Sequence, residues 1–511
     1  MMRRSLLAVL PLLAMGALAG CTVGPDFASP DGPKTATYVP DQKSDLIAAG
    51  IPGGEAQRIV QSMDIPGQWW GVFQSPQLNN LIERSLRANP DVRAAVAGLR
   101  VAQQNARAQR ATLFPTLQGS FSATQNQTPA SLQSATADQQ PIYGLFVAGL
   151  QLTYALDLWG GNRRQIESLE ALAEAQCFQL EGTYLSLASN VVAAAIVEAS
   201  LRGQVEATRR IIAVQRDTLG ILNKQSGLGA IPGADVATQQ AALAQAESTL
   251  PPLEKALAQQ RNLMATLTGS LPSNPVAERF ELTDLKLPHE LPLTLPSQLV
   301  EQRPDVRAAE ANLHAASAQV GVAIANQLPQ VTLGFGLNSS ALSLGTLFMP
   351  GLAGATTGAS AIQTLIDGGA LAAKKRSAVA ALEQADAQYQ SIVLTAFRNV
   401  ADTLNALEYD ALALKSAVEA ERAAATALSI ARKRLELGDT TYVFVLIAEL
   451  TYQQTLLTRV QAQAARLTNT AALFQALGGG WWNRDGSGPG NGRSRCKPPA
   501  SPWSISSNTQ R

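Results

Sequence analysis

Histidine occurs only twice in 511 residues, and cysteine three times. His289 lies in a Pro-rich stretch and His314 in a helical one, and neither has companions at metal-ligand spacing. Cys177 and Cys496 are likewise unpaired in spacing, so neither a zinc site nor a disulfide framework is expected. No nucleophile elbow or phosphate-cradling loop is present. The expectation is therefore of no enzyme: no catalytic residue, no metal and no cofactor. Aromatic residues make up 5 % of the chain and charged residues 15 %, with 40 Lys and Arg against 39 Asp and Glu. That balance gives no basic excess for nucleic acid and makes long-range electrostatics a minor theme. The abundance of Ala, Leu and Gln instead favours long helices, and the length exceeds one ordinary core.

Residues 1–20, "MMRRSLLAVLPLLAMGALAG", read as a secretory signal peptide: two arginines, an apolar run too short for a membrane anchor, then small residues. Cys21 follows inside "LAGC", which resembles the lipobox of bacterial lipoproteins and implies lipid attachment at Cys21 after cleavage. By the same resemblance, Thr22 rather than Asp at the next position implies delivery to the outer membrane. Residues 21–70 are rich in Gly, Pro and Asp without a sustained period, which predicts an extended arm lying on something else.

The chain then repeats itself. "NPDVRAAVAGLRVAQQNARAQRATLFPTLQGSFS" from Asn89 recurs without a gap as "RPDVRAAEANLHAASAQVGVAIANQLPQVTLGFG" from Arg303, with Pro90 matching Pro304 and Pro115 matching Pro329. A first repeat is expected over 71–271 and a second over 297–482, joined by a Pro-rich connector at 272–296 and followed by a disordered tail at 483–511. Ser75 is placed to cap a helix whose Leu78, Leu81, Ile82 and Leu86 form a stripe, and Pro90 breaks it. Past Pro115 the period changes to 2: Leu117, Gly119, Phe121 and Ala123 alternate with Gln118, Ser120, Ser122 and Thr124. Val331, Leu333, Phe335 and Leu337 do the same in the second copy. Strands are predicted at about 114–126 and 145–158, and at about 329–339 and 358–367, the last from a weak signal. Long helices follow at 163–226 and 234–268, and at 371–437 and 442–477, the longer of which could reach about 100 Å at 1.5 Å per residue.

Strands of about ten residues with one apolar and one polar face suit a barrel wall between lipid and water. Four such strands cannot close alone: two unpaired edges in lipid cost several kcal/mol per backbone group, and a closed sheet of about four strands has no lumen. If they cross a membrane, chains must associate. On periodicity alone, a solid coiled-coil rod remains the alternative for the helices.

The set "LAGCTVGPDF", "WWGVFQSPQLNNLIERSLRANPDVRAA", "RPDVRAAE" and "ALGGGWW", in this order from Cys21 to Trp482, resembles the TolC-like outer-membrane efflux lipoproteins of the OprM or NodT type, outer-membrane factors of RND efflux systems. The resemblance implies a mixed α and β fold with an internal two-fold repeat. It implies a trimeric 12-stranded outer-membrane β-barrel, four strands per chain, continuous with a long periplasmic α-helical barrel. It implies a passive exit duct of a tripartite efflux pump, lipid-anchored in the Gram-negative outer membrane. The partners would be two further copies, a periplasmic adaptor (membrane fusion protein), an inner-membrane RND-type transporter and outer-membrane lipid, with no nucleic acid.

The resemblance further places Gly229 and Gly438 at hairpin tips that meet the adaptor, where each could equally be an ordinary helix-ending glycine. It places a periplasmic gate in the helix after the second tip. Where the family often carries acidic residues, this chain has Phe444 and Ile447 with Tyr442 and Val443 nearby, which points to an apolar constriction, unless these side chains simply pack against neighbouring helices. Asp235, equivalent to Phe444 in the first half, either supplies an acidic ring or caps its helix. The rival reading from a different class is a lipid-anchored periplasmic coiled-coil tether without a pore, which leaves the two matched strand pairs unexplained.

Overall fold

The computed structural model describes residues 22–41, 43–127 and 142–484; the signal peptide, Cys21 and all of the tail past Arg484 lie outside the described residues. In chain order the elements are β1 (Asp45–Leu46), β2 (Gln57–Gln61), α1 (Pro76–Ala88), α2 (Pro90–Arg110), β3 (Thr116–Gln127), β4 (Ile142–Leu156), α3 (Gly161–Gly227) and α4 (Gly233–Leu267). There follow β5 (Glu290–Leu293), α5 (Pro296–Gln302), α6 (Pro304–Ala325), β6 (Gln330–Ala341), β7 (Ala353–Ile362), α7 (Ala370–Glu436) and α8 (Tyr442–Ala476). α3 and α7 each have 67 residues, and α4 and α8 each have 35. β3 and β6 each have 12, so the duplication extends from sequence to element length. Ser75 caps α1 by accepting the Leu78 amide, and Pro90 and Pro304 open α2 and α6 at the position where a missing N–H costs nothing.

The chain divides into two compact units. One contains the described part of Met1–Ser29 with Leu99–Ala175 and Ala309–Tyr389, and holds an antiparallel sheet in the order β3-β4-β6-β7. β7 lies five residues before the predicted strand, and β4 starts three residues early. The reason is that β7, "AGATTGASAI", has little alternation of its own, and its register is fixed by β6, from Gln330 opposite Ile362 to Ser339 opposite Ala353.

The second unit, Pro30–Gly98, Gln176–Ala308 and the described part of Gln390–Arg511, holds a small sheet in the order β1-β2-β5. Here the structure departs from the expected featureless arm and connector: the arm supplies β1 and β2, and the connector supplies β5, parallel to β2. Strands of two to five residues are too short for a periodic trace, and β2 and β5 pair across more than two hundred residues. Trp69 stacks on Phe474 at 5.5 Å, and the Trp481 indole donates to the Gln302 carbonyl at 2.7 Å. The "GGG" before Trp481 exists for backbone approach. All three glycines have positive φ, and a Cβ on Gly480 would stand 2.5 Å from the Ile65 and Pro66 carbonyl oxygens. Ordered chain also runs past the predicted start of the tail, since Arg484 pairs with the buried Glu181 at 3.0 Å. Cys177 is buried within α3.

Candidate functional site

Three features stand out as candidate sites. The first is the four-stranded sheet. Register puts Leu117 opposite Leu152, Leu150 opposite Leu337, and Leu152 opposite Phe335, so the odd positions of β3 and β6 and the even positions of β4 share one apolar face. Leu117, Phe121, Leu150, Phe335 and Leu337 on that face are all exposed. The other face carries Gln118, Ser120, Ser122, Gln151, Asn338 and Thr356. A Cβ on Gly336 would meet the Gln151 carboxamide oxygen at 2.8 Å, so glycine there leaves room for a polar side chain. Among the described residues β3 and β7 each have one strand neighbour, which leaves one edge of each unpaired there.

The second feature is the start of the described chain. Thr22 lies against Gly160, just past β4, and the Val23 amide donates to the Trp159 carbonyl at 3.1 Å. Gly24 passes so close to Gly321 that a Cβ on Gly24 would stand 2.4 Å from the Gly321 Cα. Arg164, nearly buried, binds Asp26 at 2.5 Å and Glu167 at 2.8 Å. His314 stacks on Phe27 at 4.4 Å and lies 2.9 Å from Glu167, and Ser29 bonds to Glu310. His314 is thus a packing residue of this clamp. The residue before Thr22, Cys21, lies outside the described residues.

The third feature is the pair of helix–helix turns. Gly229 has φ +74 and Gly438 φ +73. In each, the residue after the glycine donates back to the carbonyl five positions earlier, Ala230 to Gln225 and Asp439 to Arg434, both at 2.9 Å. Both helices therefore end in Schellman motifs, and a Cβ on either glycine would meet nothing within 4 Å. Leu228 and Leu437, each one residue before its glycine, are exposed at 85 % and 79 %.

The residues picked out as a gate separate by burial. Tyr442 is buried in a cluster with Leu222, Leu428, Val445 and Leu446, against which Ile231 and Val236 pack, so the two turns sit side by side. Its hydroxyl donates to Gln239 at 2.5 Å, and the Gln239 amide donates to the Gln215 carbonyl at 2.8 Å. Burial pushes the Tyr442 phenol up to about 12, with Glu449 adding to the rise. Val443, Phe444 and Ile447 are exposed, and Leu450 joins them at helical spacing. Asp235 is half-buried in the first turn of α4. Sequence reasoning missed Gln239, the Arg432–Glu449 pair at 3.4 Å between α7 and α8, and Leu450. Only Leu450 had a local signal, its spacing from Val443 and Ile447.

Comparison with known proteins places this geometry. The chain matches the outer membrane efflux protein family over residues 81–270 and 295–479. It is 30 % identical over 419 residues to the pyoverdine export outer membrane protein OpmQ of Pseudomonas aeruginosa, covering 81 % of this chain and 87 % of that protein. The probable outer membrane lipoprotein SilC of Salmonella typhimurium is 28 % identical over 469 residues, 91 % of this chain and 96 % of that one. Among solved structures, the outer-membrane channel OprN is 28 % identical, with a TM-score of 0.79 over 90 % of this chain and 100 % of that chain.

Proposed function

The chain belongs to the outer membrane efflux protein family and has the TolC-like fold of an outer-membrane efflux component, and on that premise we propose that three copies assemble into one exit duct. The observation that carries this is the sheet: four two-faced strands with two unpaired edges need partners to close, and three copies give a barrel with its polar face inward. The duct performs no chemistry. Energy comes from an inner-membrane RND-type transporter, and a periplasmic adaptor docks at the exposed turns of Gly229 and Gly438. Cys21 carries a lipid anchor; the clamp that holds Thr22 and Val23 at the end of β4 supports this, because it sets the anchor beside the sheet. Val443, Phe444 and Ile447, with Leu450, form an apolar constriction that gates by dewetting, Tyr442 serving as the buried support. Selectivity for the exported compound resides in the transporter.

The deciding measurement is the molar mass of the detergent-solubilised mature protein by light scattering, corrected for bound detergent. A mass of three chains supports the shared duct, and a monodisperse folded monomer overturns it in favour of a periplasmic tether. The gate is tested by Phe444→Asp, expected to alter single-channel conductance and drug susceptibility. Wild-type values for both remove the apolar constriction.

A further inference from the structure

The connection between β6 and β7 exposes more large apolar side chains than a water-facing loop should. Leu342, Leu344, Phe348 and Met349 are exposed at 68 %, 58 %, 80 % and 54 %. The segment is nonetheless folded. Residues 344–346 form a 3-10 turn, the Ser343 and Thr346 hydroxyls lie 2.9 Å apart, and Leu347 between them and Phe348 is fully buried. Polar groups are satisfied inside the loop while apolar ones are turned out, the reverse of a solvated surface.

Two observations identify what those side chains meet. The first is direction. Ser339 shares the odd parity of Val331, Leu333, Phe335 and Leu337, so its side chain stands on the apolar face of the sheet. Its hydroxyl donates to the carbonyls of Leu347 and of Leu352, the latter at 3.2 Å. The loop is therefore drawn over the apolar face and not over the polar one. The second is charge. From Leu328 to Ile366 the sequence contains no Asp, Glu, Lys or Arg, so the loop continues the uncharged character of both strands it joins. α6 and α7 leave β6 and β7 at the opposite end of the sheet, so the loop lies at the end away from the helices.

We propose that residues 342–352 form an interfacial wedge seated in the lipid surface of the outer leaflet, with Leu344, Phe348 and Met349 as its apolar contacts. This rests on the reading that the sheet crosses the outer membrane. An aromatic ring and flexible thioether placed there bury about 5–10 Å into the headgroup and acyl boundary, and the Ser339 hydroxyl, shared between two loop carbonyls, takes the place of a water there. The wedge fixes the height and tilt of the sheet at the lipid surface, as Cys21 is proposed to do from the chain's beginning.

The test uses the full mature protein in phosphatidylcholine bilayers brominated at a shallow or a mid-chain acyl position, with the emission of the six native tryptophans subtracted. Phe348→Trp, with Met349→Trp as a second probe, is expected to emit at shorter wavelength than a hydrated indole, to be quenched more by shallow than by mid-chain bromine, and to be shielded from iodide. Quenching by iodide alone places the loop in water and overturns the wedge. Indifference to all three quenchers places the loops against one another at the duct mouth and also overturns it. Phe335→Trp, in the middle of the apolar face, separates the two levels: quenching by mid-chain bromine upholds the membrane-spanning sheet whatever the loop does, and its absence removes the spanning reading itself.

Discussion

Gly321 on α6 and Arg107 on α2 occupy matched positions of the repeat, as do His314 and Arg100. The chain's own N-terminal segment covers the first member of each pair: Val23 and Gly24 run against Gly321, and Phe27 stacks on His314. Arg107 and Arg100 are exposed. The duplication thus copied the backbone, and single substitutions in side-chain size and charge then decided which copy could accept a stretch of chain. The helix–helix turns diverge in the same way. Tyr442 and Phe444 open α8, whereas the corresponding positions at the start of α4 are Gly233 and Asp235.

Changes that break these contrasts rank by size. Gly321→Val should be the most damaging, because a Cβ there stands 2.7 Å from the Val23 carbonyl and 2.9 Å from the Arg164 side chain. The overlap should cost about 3 kcal/mol, read as a lowered Tm and as early proteolysis near residues 22–29. Arg107→Val, its counterpart, should leave both unchanged. Tyr442→Phe comes next: it removes the donor to the buried Gln239 and should cost about 1–3 kcal/mol in thermal unfolding, and its first-half counterpart, Gly233, has no such bond to lose.

Gly229→Ala and Gly438→Ala should each cost about 1–2 kcal/mol and do so equally, since both glycines share the left-handed backbone and the same open surroundings. Unequal losses would mean that the two turns differ in strain. The smallest effect concerns pH. Burial raises the Glu449 carboxyl above its ordinary 4.5, with Arg432 pulling it back. A raised folded-state value gives stability that is complete below the unfolded value and lost as pH rises through the raised one. Glu449→Gln should flatten that decline in Tm as pH rises from 4.5. The same measurement on Gln240, the matched neutral position, should show no change on substitution by Ala.

Legibility in the sequence followed the range of each interaction. Leu117, Phe121, Phe335 and Leu337 announced their strands because alternation is a property of neighbours in the chain. β7 lies away from its sequence pattern because Ala, Gly, Thr and Ser supply little contrast, and only pairing with β6 sets its register. The turns of Gly229 and Gly438 were readable from glycine after a long helical run, but Gln239 beneath Tyr442 was not, since the two lie 203 positions apart. Tyr442 adjoins Val443 and Phe444 in the chain, but helical geometry turns it to the buried side.

The sequence by itself determined the duplication, the order of the long helices and the two-faced character of the sheet strands, because these reside in composition and local period. Tertiary structure alone decided that β2 pairs with β5, that Val23 and Gly24 seal against α6, that the loop after β6 folds toward the apolar face, and which turn residues are covered. Each of those depends on groups far apart in the chain meeting at van der Waals or hydrogen-bond distance, which no local pattern encodes.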